Sequence, residues 1–186
     1  MSAQGVPGPR RCDWADTTPD YIAYHDDEWG RPVRDDRGLY ERLTLEAFQS
    51  GLSWLTILRK REHFREAFRG FDPLVVSAFD ESDVDRLMHD PGIVRNRRKI
   101  DAAITNARAI QDLDGSFAEL LWSFVPAAPR PAPQTLADIA PTTPESAAMA
   151  KELKRRGFVF VGPTTCHALM QATGMVNDHL VYCWRR

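Results

Sequence analysis

The sequence predicts an all-α fold. Apolar residues recur three and four apart through most of the chain, the period of an amphipathic helix. Proline and glycine cluster between those stretches. No segment makes a convincing strand, and no internal repeat is visible.

The elements follow in order. Residues 1–10 are rich in glycine and proline and read as a disordered tail. From about residue 35, Leu39, Leu43 and Ala47 mark a helix that Gly51 interrupts. Ser53 can cap a second helix from Trp54 to about Phe68, with Leu55, Leu58 and Phe64 inward. Asp80 to Met88 is a short helix carrying Val84 and Leu87. Ile100, Ile104, Ala107 and Ile110 form one face of the next, and Phe117 to Val125 forms another. Pro126, Pro129, Pro131 and Pro133 cannot occupy a helix interior, so about 126–144 is a loop. Helix resumes from Glu145 to Arg156. Phe158 to Val161 could pass for a strand, but Gly157 and Gly162-Pro163 flank it, and a tight hairpin between helices fits better. Thr165 to Thr173 is helical again. Residues 11–186 thus read as a single domain of two helical lobes about the proline-rich loop.

The chain has 186 residues, 43% hydrophobic and 27% charged, enough for a sizeable core without disulfides. A net charge of -2 excludes a globally basic surface, so any nucleic-acid contact must come from local patches. Three cysteines do not make an even disulfide framework. No apolar run suggests a signal peptide or a spanning helix. The expectation is a cytoplasmic protein with no membrane contact.

Cys12 and His25 lie near one end, His179 and Cys183 near the other. Four such donors suit a closed tetrahedral zinc site. His179 and Cys183 are four apart and would share a face of a helix. Cys12 and His25 lack that register. A buried cysteine with surface histidines is an equal reading of the spacing alone.

Four motifs are longer and more specific. They are Tyr21-Ile-Ala-Tyr-His25-Asp-Asp-Glu-Trp29-Gly30, Leu45-Glu46-Ala-Phe-Gln-Ser-Gly51-Leu-Ser-Trp54, Gly92-Ile-Val-Arg-Asn-Arg-Arg-Lys-Ile100 and Val176-Asn-Asp-His179. Together, over about residues 11–183, the chain resembles the 3-methyladenine DNA glycosylase I family of bacterial base-excision repair. The resemblance implies a helix-hairpin-helix glycosylase fold, with one structural zinc ion on Cys12, His25, His179 and Cys183 joining the termini. It implies hydrolysis of the N-glycosidic bond of 3-methyladenine in double-stranded alkylated DNA. It places the hairpin at Gly157 to Thr164, where Phe160 stands at a position that is commonly glycine. Thr165 and His167 also depart from the more apolar residues expected there.

A glycosylase must extrude its base from the stack. A flipped cationic base favours aromatic faces, each worth ~0.5–2 kcal/mol. By resemblance, Trp14, Tyr21, Tyr24 and Trp54 line the base pocket, and Trp29 is left as structural. Such aromatics, taken alone, are more often core. Glu46 sits among Leu43, Leu45, Ala47 and Phe48, and a buried carboxylate there needs a partner. It is either exposed, paired with Arg42, or the acceptor for the base's exocyclic amine and the source of selectivity for a cation. Methylated adenine leaves as a neutral base, so no general acid is required. Asp178 reads as capping or as support for a metal ligand.

Arg95, Arg97, Arg98 and Lys99 form one basic cluster, and Lys151, Lys154, Arg155 and Arg156 another. The amides about Gly162 and Thr164 could hold a phosphate. Leu52 is either an apolar wedge filling the vacated stack or an interhelix contact. Two other functions compete. One is a zinc-stapled binder of alkylated DNA that releases no base. The other is a zinc hydrolase, which four protein ligands argue against. The expected oligomeric state is a monomer.

Overall fold

The computed structural model describes residues 8–186. Among them the regular structure is entirely helical, with no strand. The helices are α1 (Pro19–Asp27), α2 (Asp36–Gln49), α3 (Trp54–Ala67), α4 (Pro73–Ser77), α5 (Glu81–His89), α6 (Arg97–Gln111), α7 (Phe117–Trp122), α8 (Pro144–Arg155) and α9 (Pro163–Ala172). Short 3-10 turns accompany them at Ala15–Thr17, Arg69–Phe71 and Leu136–Asp138. Most of the expected tail, residues 1–7, lies outside the described residues.

Local chemistry starts eight of these helices. The side chains of Thr18, Asp35, Ser53, Asp72, Asp80, Asn96, Ser116 and Thr143 each accept a backbone N–H of the helix that follows. Asp80 and Thr143 complete reciprocal capping boxes. Helix α9 differs: Gly162 precedes it and no side chain caps it.

Helices α2, α3, α5, α6 and α8 lie where the apolar spacing predicts them. Helix α7 stops at Trp122, short of Val125, and α9 begins at Pro163 rather than Thr165. The inward face of α3 needs correction. Ile57 and Phe64 are fully buried, whereas Leu55 and Leu58 are only half-buried. Ile57, Phe64 and Phe68 share a stripe seven and four residues apart, which directs Phe64 onto Phe48 at a ring separation of 4.8 Å.

Helix α2 is the centre of the fold. Leu39, Tyr40, Leu43, Leu45 and Phe48 have no exposed surface. A helix apolar on nearly every side must be surrounded, and α3, α6, α7 and α9 all pack against it. The Tyr40 hydroxyl donates to the Ala103 carbonyl of α6 at 2.9 Å. Lys99, expected in an exposed basic cluster, is buried. Its Nζ donates to the carbonyls of Phe48 and Ser50 at 2.8 and 2.6 Å, closing the C-terminal end of α2. A cation there meets the negative end of the helix dipole.

The two ends of the described chain pack together. Cys12, Leu180 and Cys183 form a small buried cluster beside Trp14, Trp29 and Tyr182. The Arg10 carbonyl accepts the Trp184 N–H at 3.0 Å. The approach of α9 to this region requires two glycines. Gly30 has φ +78 and Gly174 φ +72; a Cβ on Gly174 would stand 2.7 Å from the Gly30 carbonyl oxygen.

Candidate functional site

Cys12, His25, His179 and Cys183 converge, all buried, with their donor atoms within 4.8 Å of one another. The four can hold one metal ion. The sulfur–nitrogen edges are 3.6 Å (Cys12–His179), 3.5 Å (Cys183–His179) and 3.3 Å (Cys183–His25). A tetrahedron with bonds of about 2.0–2.3 Å has edges of about 3.6 Å, so the spacing fits. Burial pulls His179 down to about 4, with His25 adding to the effect, and burial pushes the Cys12 thiol up to about 12. A neutral imidazole and a thiolate are the donor states a divalent metal selects. All four positions are filled by protein.

His179 and Cys183 do not share a helix, contrary to the spacing argument. Helix α9 ends at Ala172, and residues 177–180 run without regular structure into a turn. That turn, closed by the Cys183 N–H on the Leu180 carbonyl at 2.8 Å, brings the two donors together. Support for a ligand comes from Asp26 and not Asp178. His25 Nδ1 lies 2.8 Å from Asp26 Oδ1, leaving Nε2 for the metal. Arg11 grips Asp26 with bonds of 2.9 and 2.7 Å and holds its carboxyl at about 2, against burial and with help from His25.

Beside this cluster opens a cavity of about 440 Å³. All five residues expected around a base line it: Trp14, Tyr21, Tyr24, Glu46 and Trp54. Trp14 meets Tyr21 edge to face at 5.7 Å, and Tyr24 lies tilted against Trp54 at 5.3 Å. The Tyr21 hydroxyl accepts the Leu55 N–H at 3.1 Å, tying α1 to the start of α3. Trp54 Nε1 is buried without a hydrogen-bond partner among the described residues. Burial drives the Tyr24 phenol far above its ordinary value, so it stays neutral.

Sequence reasoning missed Trp29, Gln49 and Gln171, which also line the cavity. Trp29 does both jobs. One wall of it faces the cavity, and its ring meets His179 edge to face at 4.6 Å and Trp14 at 5.2 Å. Its position within the Tyr21–Gly30 motif was the one available signal. Gln171 sits on α9, and nothing local to it announces a pocket.

Glu46 is 8% exposed and makes no ion pair among the described residues. Arg42 is committed elsewhere: with Arg61 it binds Glu28 at 2.6–2.7 Å. Those two arginines outweigh burial and hold Glu28 below the ordinary carboxylate range. Glu46 has no such relief. Burial raises it to about 8, against a weaker opposing pull from Arg42. Glu46 is therefore mostly protonated at neutral pH.

Leu52 is 41% exposed, which removes the reading of an interhelix core contact. It stands in the α2–α3 turn between Gln49 and Trp54, both of which line the cavity. The hairpin runs from Gly157 to Gly162, with Phe160 at φ 56 and 41% exposed. Asn106 of α6 clamps it from behind, accepting the Val159 N–H at 2.8 Å and donating to the Val159 carbonyl at 3.1 Å. Thr164 is exposed on the uncapped first turn of α9. Of the basic residues, Arg97 is engaged by Glu81 and Asp101, and Arg155 and Arg156 by Glu152. Lys151 and Lys154 are exposed and make no ion pair among the described residues.

The methyladenine glycosylase family model matches residues 14–186. A DNA-3-methyladenine glycosylase 1 of Escherichia coli (strain K12) is 49% identical over 177 residues, covering 93% of this chain and 95% of that protein. A crystal structure of a 3-methyladenine DNA glycosylase I superposes with a TM-score of 0.90 at 50% identity, covering 94% of this chain and 98% of the other. The Staphylococcus aureus 3-methyladenine DNA glycosylase I, studied for its recognition of 3-methyladenine, superposes with a TM-score of 0.87 at 37% identity, covering 94% and 95%.

Proposed function

The chain belongs to the methyladenine glycosylase family, and on that premise we propose that it releases 3-methyladenine from alkylated double-stranded DNA by hydrolysing the N-glycosidic bond. One observation carries the reading: a buried carboxyl without an ionic partner among the described residues, Glu46, faces an aromatic cavity large enough for a base.

A nucleotide methylated at N3 of adenine carries a positive charge on its base. Flipped into the cavity, that base meets the faces of Trp14, Tyr21, Tyr24 and Trp54, which attract a cation. Its charge also draws the proton off Glu46. The resulting ion pair, at about 4 Å and an effective dielectric constant of about 20, gains about 4 kcal/mol. Neutral adenine offers no such return and leaves Glu46 protonated. Selectivity thus rests on the charge and on the exocyclic amine that the Glu46 oxygens accept.

Water supplies the nucleophile. Its oxygen bonds to the sugar C1′ as the C1′–N bond breaks, and the bonding pair stays on the base. The base departs neutral, so it needs no proton; the attacking water releases one to solvent as its oxygen bonds to C1′, and the Glu46 carboxylate, now without its cation, takes a proton back from solvent. No lysine reaches the cavity to form a covalent intermediate among its lining residues. Glu46 touches the reacting base and is the catalytic residue of this scheme.

The DNA backbone sits on the Gly157–Gly162 hairpin, where the uncapped N–H groups at the start of α9, with Thr164, bind a phosphate. Leu52 fills the gap left in the stack. The resident ion is zinc, which stabilises the four-donor cluster and takes no part in bond breaking. The unit is a monomeric single domain, residues 11–186, working in the cytoplasm.

Purified protein incubated with N-methylated duplex DNA should release free 3-methyladenine, separable by chromatography. Tight retention of the alkylated duplex without any released base would replace the enzyme by a damage-binding protein.

A further inference from the structure

We propose that Gln171 is a specificity-determining residue of the base cavity and that Asp178 is the residue that positions it. The inference rests on the function proposed above and adds an acceptor opposite in origin to Glu46. Gln171 comes from α9, at the far end of the sequence, yet lines the same cavity as Glu46 of α2.

A glutamine amide is ambiguous. One end donates, the other accepts, and a half-turn of the amide exchanges them. Asp178 removes the ambiguity. Gln171 Nε2 lies 2.8 Å from Asp178 Oδ2, and only the amide NH2 can face a carboxylate at that distance. Asp178 is itself buried, 8% exposed, with His167 Nε2 3.4 Å from the same Oδ2. With its buried oxygen accepting the Gln171 amide at 2.8 Å, Asp178 turns the donor end of Gln171 toward itself.

The consequence lies at the other end of the amide. With Nε2 taken by Asp178, Oε1 is the polar atom that Gln171 has left for the cavity it lines. The cavity therefore presents a permanent acceptor to its ligand. An exocyclic amine donates to such a group. A carbonyl at the same ring position turns lone pair against lone pair and leaves both unpaired. A site built to hydrogen-bond one substituent rejects the other far more strongly than shape alone can. The ligand class so selected is a methylated purine bearing an amine, against its oxo counterpart.

Free 3-methyladenine and 3-methylhypoxanthine, titrated by quenching of the cavity tryptophans, test this directly. Wild-type protein should prefer the amine. Asp178→Asn lets the Gln171 amide turn either way and should lower the affinity ratio by about tenfold, the scale of one hydrogen bond. Gln171→Ala should lower the ratio comparably, and the double variant no further than Gln171→Ala alone. Ratios unchanged in both single variants, whatever happens to the affinities or to the melting temperature, would reduce Asp178 to a packing residue and overturn the inference. If Asp178→Asn shows no cooperative unfolding, Gln171→Ala decides alone. Wild-type protein that fails to bind 3-methyladenine would instead sink the function on which the inference rests.

Discussion

The four-donor cluster and the aromatic cavity share a wall, yet they treat polar groups in opposite ways. In the cluster, every buried donor atom faces another, and His25 is further held by Asp26 and Arg11. In the cavity, Glu46 is also buried but has no ionic partner among the described residues. A polar group whose needs are met inside the protein stabilises the fold. One whose needs are unmet makes binding of the right ligand favourable and costs stability until that ligand arrives. Trp29 touches both regions, so the first holds the second in shape.

The largest expected effect comes from emptying the cluster. Structural zinc contributes about 10 kcal/mol or more in small domains. Cys183→Ser, or prolonged chelation, should lower the melting temperature by more than about 10 °C, at roughly 2–4 °C per kcal/mol for a chain of this size. Elemental analysis should find one zinc per chain before and none after. Unchanged melting would erase the contrast between the two regions.

Glu46→Gln should act in the opposite direction on stability. Its folded pKa is raised to about 8, so between about 4.5 and 8 the folded state holds a proton that the unfolded state has lost. Stability therefore falls as pH rises through that window. The amide should remove this slope and stabilise the protein by about 1–3 kcal/mol at pH 7. Release of 3-methyladenine should fall by about 100-fold or more, the scale of a lost charge-assisted contact. Thermal melts across pH 5–8, paired with base release, check both signs. A variant less stable than wild type at every pH would contradict the reading of Glu46 as unpaired.

Lys99→Met should cost about 1–3 kcal/mol, because the end carbonyls of α2 lose a buried cation. The salt dependence of DNA binding should not move. Lys151→Ala with Lys154→Ala should do the reverse, leaving melting within about 0.5 kcal/mol. The log–log salt slope should drop by about 1–2. Equal salt slopes in this pair and in wild type would place the DNA elsewhere than beside the hairpin.

The fold was legible where local signals agree. Helices α2, α3, α5, α6 and α8 each combine an apolar period with a capping side chain. Helix α1 escaped because its residues, Pro19–Asp27, mix aromatic and acidic groups with no apolar stripe. Helix α4 has five residues, too few for a period to show. The cavity was legible for the five residues carried by the resemblance. Gln171 was not, since only the packing of α9 on α2 brings it there. The basic character of Lys99 was misleading, because charge along a sequence does not say which lysine finds buried carbonyls.

Most helix starts and the punctuation of the chain were determined by the sequence itself, because caps and turns depend on residue type and close neighbours; the four Cys/His residues that can hold a metal were named through the resemblance. That Asp26 held by Arg11 would back a metal donor while Asp178 would not, that Arg42 would be drawn away to Glu28, and that Glu46 would be left protonated were decided only by the tertiary structure. Those facts depend on groups far apart in the chain, as with Cys12 and His179, 167 residues apart. A carboxyl's charge state is set by what surrounds it, and no local stretch of sequence contains its surroundings.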